Sequence, residues 1–306
     1  MSDTGASGRR SWGARLVILI PALWLTVLFL VPFLIVLKIS LSQSVIAQPP
    51  YTPTLDLTGG WQAVRDFAAA LSFENYKLLG SDWLYIVSYL RSLGIAFAAT
   101  AILLAIGYPI AYGMARAPRG LQPVLVMAVF LPFLTAFLIR IYAWINILQR
   151  EGLLNETLLA LGLIREPLIW LSTDTAILIG AVYSYLPFMV LPLYASLEKL
   201  DDSLLEAAAD LGCPAWRAFW LVTVPLSLPG AVAGALLCFI PIVGEFVIPD
   251  LLGGSGAQMI GQTLWVEFFS NKDWPVASAV AVVLLVALLA PIVAYQRLQA
   301  RALGER

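Results

Sequence analysis

The sequence predicts an all-α integral membrane protein with six transmembrane helices. Of its 306 residues, 60% are hydrophobic and only 12% are charged, whereas a soluble domain carries roughly 25% charged residues. A helix rises about 1.5 Å per residue, so about 20 apolar residues cross the 30 Å hydrocarbon core of a bilayer, where only a helix satisfies its own backbone. Six uncharged runs are long enough: 16–37, 93–115, 121–139, 175–197, 226–244 and 276–296.

The first run follows three arginines, Arg9, Arg10 and Arg15, and could be read as a secretory signal. Residues 16–37 exceed the roughly 7 to 15 apolar residues of a signal peptide, and no convincing cleavage site follows. We therefore expect this run to stay in the mature chain as the first span, with the arginines anchoring it on the cytoplasmic side.

The distribution of Lys and Arg predicts the orientation of the spans. With the N-terminus inside, short inner segments hold most of the basic residues, and longer outer loops hold fewer. The inner residues are Arg9, Arg10, Arg15, Arg116, Arg119, Lys199, Arg217, Arg297, Arg301 and Arg306, and the outer ones are Arg65, Lys77, Arg150, Arg165 and Lys272. The positive-inside rule then favours cytoplasmic positions for both termini.

A long outer segment, residues 40–82, separates the first two runs. Pro49, Pro50 and Pro53 interrupt regular structure in it. The stretch 61–71 is amphipathic, and it is either a helix on the membrane surface or a plain connector. The predicted organisation is a region 1–85 with tail, first helix and outer segment, a transmembrane core 86–297, and a cytoplasmic tail 298–306.

The inner loop between the fourth and fifth runs, residues 198–225, has the signature of two short helices. Ser203 followed by Glu206 fits a capping box, which predicts a helix start. Gly212 suits a left-handed helix end, and Pro214 suits the first turn of a second helix.

An apolar face runs along the first of these helices. Leu204, Ala208 and Leu211 lie at helical spacing, while Glu206 and Asp210 face away. The hairpin is either a rigid knob that a partner protein contacts closely or an amphipathic element that rests on the lipid surface.

The same loop carries a motif that resembles a known family. Glu206-Ala207-Ala208, Gly212, Val222, Val224 and Pro225 resemble the EAA loop of binding-protein-dependent ABC importer permeases. The family pattern is E-A-A-x-x-x-G, nine residues, then I-x-L-P, and here valines replace the Ile and Leu. The resemblance implies a type I ABC importer (MetI-like) permease fold. It also implies that Glu206, Ala207, Ala208 and Gly212 couple the spans to an ATPase subunit.

Three further stretches, 137–144, 186–194 and 272–275, are similar to the permeases for putrescine and spermidine, and the stretch 243–254 is similar to the putrescine-type permease that pairs with a second permease subunit. This resemblance implies a polyamine substrate and a bacterial inner-membrane location. It also implies three protein partners, which are a cytoplasmic ATP-binding subunit dimer, a second permease subunit and a periplasmic polyamine-binding protein. Three alternatives stay open: an importer for another substrate, such as an iron chelate or an oxyanion, a potential-driven polyamine carrier, and a membrane scaffold or sensor that transports nothing.

Glu245, at the end of the fifth run, is a candidate for contact with a cationic substrate, because carboxylates inside a membrane are costly. Counted along straight helices, Glu245 lies about 25 Å and Arg140 about 28 Å from the inner side. The two charges could therefore pair instead, or Glu245 could be exposed at the interface. Pro241, Gly244 and Pro249 should break the helix around Glu245.

Aromatic residues are the other candidates for the substrate pathway. Tyr112, Trp144, Tyr183 and Tyr185 could offer cation–π surfaces, or they could serve only as packing or interface anchors.

Several functions are disfavoured by what the chain lacks. It has no histidine and two cysteines, Cys213 and Cys238, so no metal site or Ser-His or Cys-His catalysis is expected. No G-x-x-x-x-G-K-[ST] loop occurs, and hence ATP hydrolysis belongs to a separate chain. A net charge of −1 gives no attraction to nucleic acid. We expect no cofactor and no enzymatic activity.

Overall fold

The computed structural model describes residues 12–54, 60–254, 256 and 258–304. Contacts divide the chain into two units, one formed by residues 1–81 and 267–286 and the other by 82–266 and 287–306. Both are built almost wholly from helices, as the hydrophobic composition predicts.

The first unit begins with the first membrane span. It contains α1 (Trp12–Leu25), a π-helical turn (Thr26–Leu30), α2 (Val31–Ser40), strands β1 (Gln43–Ser44) and β2 (Tyr51–Thr52), α3 (Gly60–Ala69) and α4 (Glu74–Ser81). The apolar side chains of Val17–Ser40 are almost all unburied by the chain, as expected of a helix surrounded by lipid.

The segment that follows α2 is ordered by side-chain hydrogen bonds. The Asn75 amide donates to the carbonyls of Ser40 and Ser42, both at 2.8 Å, and the hydroxyls of Ser40 and Tyr76 lie 2.6 Å apart. Most of the amphipathic stretch 61–71 is helical, as part of α3 (Gly60–Ala69), while its position at the membrane surface stays a prediction.

The second unit contains the remaining helices up to residue 266. They are α5 (Trp83–Ala115), α6 (Gln122–Phe130), a 3₁₀ turn (Leu131–Leu134), α7 (Phe137–Leu148), α8 (Leu153–Ala160), α9 (Asp174–Leu197), α10 (Ser203–Asp210), α11 (Ala215–Ala218), a π-helical turn (Phe219–Thr223), α12 (Val224–Val243), α13 (Val247–Leu252) and α14 (Ile260–Trp265). A π-helical turn (Val266–Ser270) and α15 (Trp274–Gly304) complete the described chain.

Four helical stretches of the described chain are long and apolar enough to cross a membrane. They are Val17–Ser40, Trp83–Ala115, Asp174–Leu197 and Ala215–Val243. The sixth predicted run lies in α15, whose apolar part in the described chain is Trp274–Ala290. Four of the six predicted spans therefore coincide with helices long enough to cross a membrane, whereas the apolar part of α15 is shorter than that, so the predicted count of six is not itself confirmed.

The third predicted run, 121–139, is not one straight helix. It divides into Gln122–Leu134 and Phe137–Ala160, which are bent by 82°. Thr135 and Ala136 between them have extended backbone, with ψ of 150° and 136°. Pro132, which lacks an N–H, lies in the 3₁₀ turn that ends the first half. The absence of charged residues in 121–139 therefore predicted an apolar segment correctly, but it did not predict the bend at Thr135–Ala136.

The core of the second unit is the packing of α5, α9 and α12. Small residues allow close approach, as is usual between membrane helices. A Cβ at Gly107 of α5 would lie 2.9 Å from Met189 Cγ of α9, and one at Gly230 of α12 would lie 2.7 Å from the Pro192 carbonyl of α9.

This packing predicts that Gly230→Ala destabilises the protein. A rigid carbonyl must move to admit the added methyl, and overpacking of this kind costs about 1 to 3 kcal/mol. Gly113→Ala is the matched control, since a Cβ at Gly113 would meet nothing within 4 Å. Thermal unfolding of the purified protein in detergent should show a lower Tm for Gly230→Ala only. Equal Tm values for both variants would contradict the close approach of α12 to α9.

Candidate functional site

The loop 198–225 folds as two short helices, as predicted, but the first helix begins differently. No capping box forms, because Ser203 is the first residue of α10 and not the cap. Instead, the Ser203 N–H donates to Asp201 Oδ1 at 3.0 Å. This hydrogen bond lowers the pKa of the exposed Asp201 carboxyl below its ordinary value. The Asp201 side chain therefore satisfies the first N–H of the helix, which sequence reasoning missed because Ser203 and Glu206 fitted a familiar pattern.

The end of α10 confirms the role predicted for Gly212. Its φ is +76°, in the left-handed region that favours glycine. The Gly212 N–H donates to the Ala209 carbonyl at 2.8 Å and the Cys213 N–H to the Ala208 carbonyl at 2.9 Å, which is a Schellman end. Pro214 is the cap of α11, one position before the predicted one.

The two helices present an uncovered surface. No residue of α10 is buried, and Glu206 and Ala207 are exposed. Glu206 makes no ion pair within the described chain. Five large apolar side chains of the loop are also exposed: Leu204, Leu211, Trp216, Trp220 and Leu221. A surface of this kind is typical of a contact site for another protein or a membrane.

The loop is attached to the neighbouring helix α5. Asp202, which precedes α10, forms an ion pair with Arg116 at the end of α5. The Arg116 guanidinium lies 5.6 Å from the Tyr112 ring centroid, and that ring meets Phe219 edge-on at 5.4 Å. Tyr112 therefore belongs to the loop attachment and not to the surroundings of Glu245.

The second candidate region is the break at Glu245, between α12 and α13. The helix ends at Val243 with Gly244 as its cap, as the flanking prolines and glycine predict. The Glu245 carboxylate accepts from three donors: the Tyr185 hydroxyl at 2.6 Å, and the N–H groups of Phe246 at 3.2 Å and Val247 at 3.1 Å. The structure thus places Tyr185 and Glu245 together.

Tyr185 and Phe246, which both donate hydrogen bonds to this carboxylate, make further ring contacts. Phe246 stacks on Trp265 with ring centroids 4.6 Å apart, and Tyr185 lies 6.1 Å from Phe188. A Cβ at Gly261 would lie 2.6 Å from the Glu245 carbonyl oxygen, so α14 packs directly against the break. The sequence analysis missed Trp265 and Gly261, because no local pattern links them to Glu245.

Arg140 does not pair with Glu245 in the described chain, which corrects the pairing alternative. Its side chain is only 7% exposed and lies against two rings, with the guanidinium 5.0 Å from the Phe133 centroid and 5.7 Å from that of Phe137. Its Nε has no hydrogen-bond partner in the described part of the molecule. The pairing was expected from a count along a straight helix, whereas the chain bends by 82° between Gln122–Leu134 and Phe137–Ala160.

Trp144 and Tyr183 form an aromatic pair of their own. Their ring centroids are 5.4 Å apart in an edge-on arrangement between α7 and α9. Neither ring has a cation near it in the described contacts, so the pair is available for packing or for a cationic ligand.

Comparison with known proteins finds one family over most of the chain. Residues 104–303 match the family described as "Binding-protein-dependent transport system inner membrane component". The chain is 40% identical over 251 residues to the spermidine/putrescine transport system permease protein PotB of Escherichia coli K12, an alignment that covers 81% of this chain and 91% of that protein.

Solved structures show the same fold. A bacterial ABC transporter for import of the acidic polysaccharide alginate superposes with a TM-score of 0.65 at 15% identity, over 96% of both chains. The MetNI methionine ABC transporter superposes with a TM-score of 0.55 at 19% identity, over 71% of this chain and 94% of that one. The fold predicted from the EAA loop, that of the MetI-like importer permeases, is therefore confirmed.

Proposed function

Because the chain belongs to the family of inner membrane components of binding-protein-dependent transport systems, we propose that it is the permease subunit of an ATP-driven polyamine importer. The observation that carries the proposal is the exposed surface of α10 and of the turn that follows it. On this surface Glu206, Ala207 and Gly212 occupy positions of the EAA motif. ATP hydrolysis belongs to a separate cytoplasmic subunit dimer, since the sequence has no phosphate-binding loop.

The proposed mechanism is alternating access. A loaded periplasmic binding protein docks on the outer loops, and ATP binding closes the nucleotide-binding subunits. The loop 198–225 converts that closure into an outward opening of the pore, and hydrolysis resets it. The pore is shared with a second permease subunit, and both termini of this chain lie in the cytoplasm of a bacterial cell.

Putrescine or spermidine is the proposed substrate. The name of the 40% identical relative supports the substrate class. The Glu245 region supports it chemically, because the carboxylate accepts from the Tyr185 hydroxyl and the adjacent Phe246 ring stacks on Trp265, which brings charge and aromatic rings into one region. An ammonium group near an aromatic face gains about 0.5 to 2 kcal/mol when desolvated. Trp144 and Tyr183 offer a second aromatic surface of the same kind.

The test is reconstitution in proteoliposomes with the second permease, the ATPase and the binding protein. We expect putrescine or spermidine uptake to require ATP and the binding protein, and to persist when ionophores collapse the membrane potential. Uptake that follows the potential without ATP would instead establish a secondary carrier. If no ligand is taken up, the protein would instead be a scaffold or sensor. Uptake of an iron chelate or oxyanion alone would refute the polyamine assignment.

A further inference from the structure

The helix α5 contacts the coupling loop at one end through a charged pair. Arg116, the residue that ends α5, binds the carboxylate of Asp202. The Asp202 carbonyl in turn accepts the N–H groups of Leu205 and Glu206, so the same residue holds the first turn of α10. Any displacement of α10 therefore acts directly on the end of α5.

A ring contact supplements this ion pair. Phe219, which follows α11, meets Tyr108 edge-on at 5.6 Å and Tyr112 edge-on at 5.4 Å, and both tyrosines belong to α5. The Tyr108 hydroxyl lies 2.7 Å from the Ser227 hydroxyl of α12. Both ends of the loop 198–225 therefore contact α5. The first end does so through the ion pair of Asp202 with Arg116, and the second through the packing of Phe219 against Tyr108 and Tyr112.

The opposite end of α5 contacts a different element, which we call the α14 segment (Gly256 and residues 258–265). Arg91 binds both the Asp174 carboxylate and the Gly256 carbonyl. The Ser92 hydroxyl accepts the Ile260 N–H at 2.8 Å. The hydroxyls of Ser88 and Thr263 are 3.2 Å apart.

The α14 segment is also the element that packs on the Glu245 break. Gly261 approaches the Glu245 carbonyl too closely for a side chain, and Trp265 stacks on Phe246. A shift of this segment would consequently change the surroundings of the Glu245 carboxylate.

Between its two ends α5 is one helix, with Pro109 inside it near the loop end and one face buried. Its 33 residues correspond to a length of about 50 Å at the rise of a helix. Ala96, Ala99, Leu103 and Ala111 are fully buried, and close-packed interiors transmit displacement without absorbing it. One helix thus contacts both regions, and packed secondary-structure elements of this kind can carry energetic coupling between distant sites.

We propose that α5 carries the movement of the coupling loop to the α14 segment, with Arg116 and Phe219 as positioning residues at the loop end and Arg91 at the far end. This inference rests on the proposed function, since it needs an ATPase to move the loop. It is distinct from the proposed function, because it concerns which helix receives the movement of the loop and which residues deliver that movement.

The experiment follows the α14 segment with a cysteine while the loop contact is altered. Gly256→Cys is suitable because a Cβ there meets nothing within 4 Å and the residue is exposed. In the reconstituted complex, ATP with vanadate should change the rate of labelling by a membrane-impermeant maleimide about fivefold or more. The protein without Gly256→Cys provides the background from Cys213 and Cys238.

Arg116→Asp and Asp202→Arg should each abolish this nucleotide-dependent change and reduce uptake, and the double exchange Arg116→Asp/Asp202→Arg should restore both. Folding should persist, because the pair is solvent-exposed, with 32% and 70% of the side chains accessible, and such pairs contribute about 0 to 1 kcal/mol. Arg119→Asp is the matched control, since Arg119 has the same charge nearby and no ion pair in the described chain. It should leave labelling and uptake unchanged.

The outcomes separate the two proposals. If the unmodified complex shows no ATP-driven uptake, the proposed function fails. The inference about α5 is overturned if the complex transports but the labelling rate at residue 256 does not change with nucleotide. It is also overturned if the labelling rate of the Arg116→Asp variant changes with nucleotide as much as that of the unmodified complex. A double exchange that fails to restore the response overturns the role of the ion pair.

Discussion

Glu206→Arg should abolish ATP-driven uptake by the reconstituted importer. Glu206 is exposed on α10, has no ion pair within the described chain and occupies the acidic position of the EAA motif. Reversing a charge in a docked interface leaves like charges facing each other, which costs several kcal/mol. Since about 1.4 kcal/mol corresponds to a factor of ten, uptake should fall by at least about tenfold. The measurement is initial uptake of radiolabelled putrescine, together with the amount of ATPase subunit that co-purifies.

Asp210→Arg is the control for this prediction. It makes the same change one helical turn later on the same exposed helix, at a position that the motif leaves open. We expect it to retain most of the uptake and to co-purify normally with the ATPase. Unchanged uptake in Glu206→Arg, or equal losses in both variants, would refute the specific coupling role of Glu206.

The coupling loop was predictable from the sequence because its determinants are local. Gly212 ends α10 in a left-handed conformation for which neighbouring residues suffice, and the fold needs no distant contact to impose it. The uncharged runs were predictable for a similar reason, since length and composition alone decide whether a segment suits the hydrocarbon core. Which side chain accepts the first N–H of α10 was harder to predict, because Ser203 and Asp201 are both residue types that cap helices well.

Features that depend on contacts between distant residues were not predictable. The predicted second run begins at 93, after Arg91, but α5 extends back to Trp83, where the Asp82 side chain caps it, and Arg91 within the helix pairs with Asp174 of α9. The break at Thr135–Ala136 placed Arg140 against Phe133 and Phe137, away from Glu245. The partner of Glu245 is Tyr185, and 60 residues separate the two in sequence.

The second large effect is expected for Glu245→Gln, which should lower polyamine uptake without loss of folded protein. A carboxylate offers about four acceptor sites, and three donors from the chain occupy part of this capacity. The remaining capacity is available to an ammonium group. Glutamine keeps the shape and can still accept the N–H groups of Phe246 and Val247, but it has no charge. Hydrogen bonds to charged groups contribute about 1.5 to 3 kcal/mol, so uptake should fall about 10- to 150-fold.

The variant Tyr185→Phe distinguishes a role of Glu245 in contacting the substrate from a role in holding the break between α12 and α13. It removes the 2.6 Å hydrogen bond to Glu245 but leaves the negative charge in place. If the charge meets the substrate, Tyr185→Phe should reduce uptake much less than Glu245→Gln, while the Tm of both variants in detergent stays close to that of the unmodified protein. If the carboxylate only holds the break between α12 and α13, uptake and Tm should fall together in Glu245→Gln. That outcome, or normal uptake in Glu245→Gln, would exclude Glu245 from the substrate pathway, because a group that meets the passing cation must affect transport more than stability.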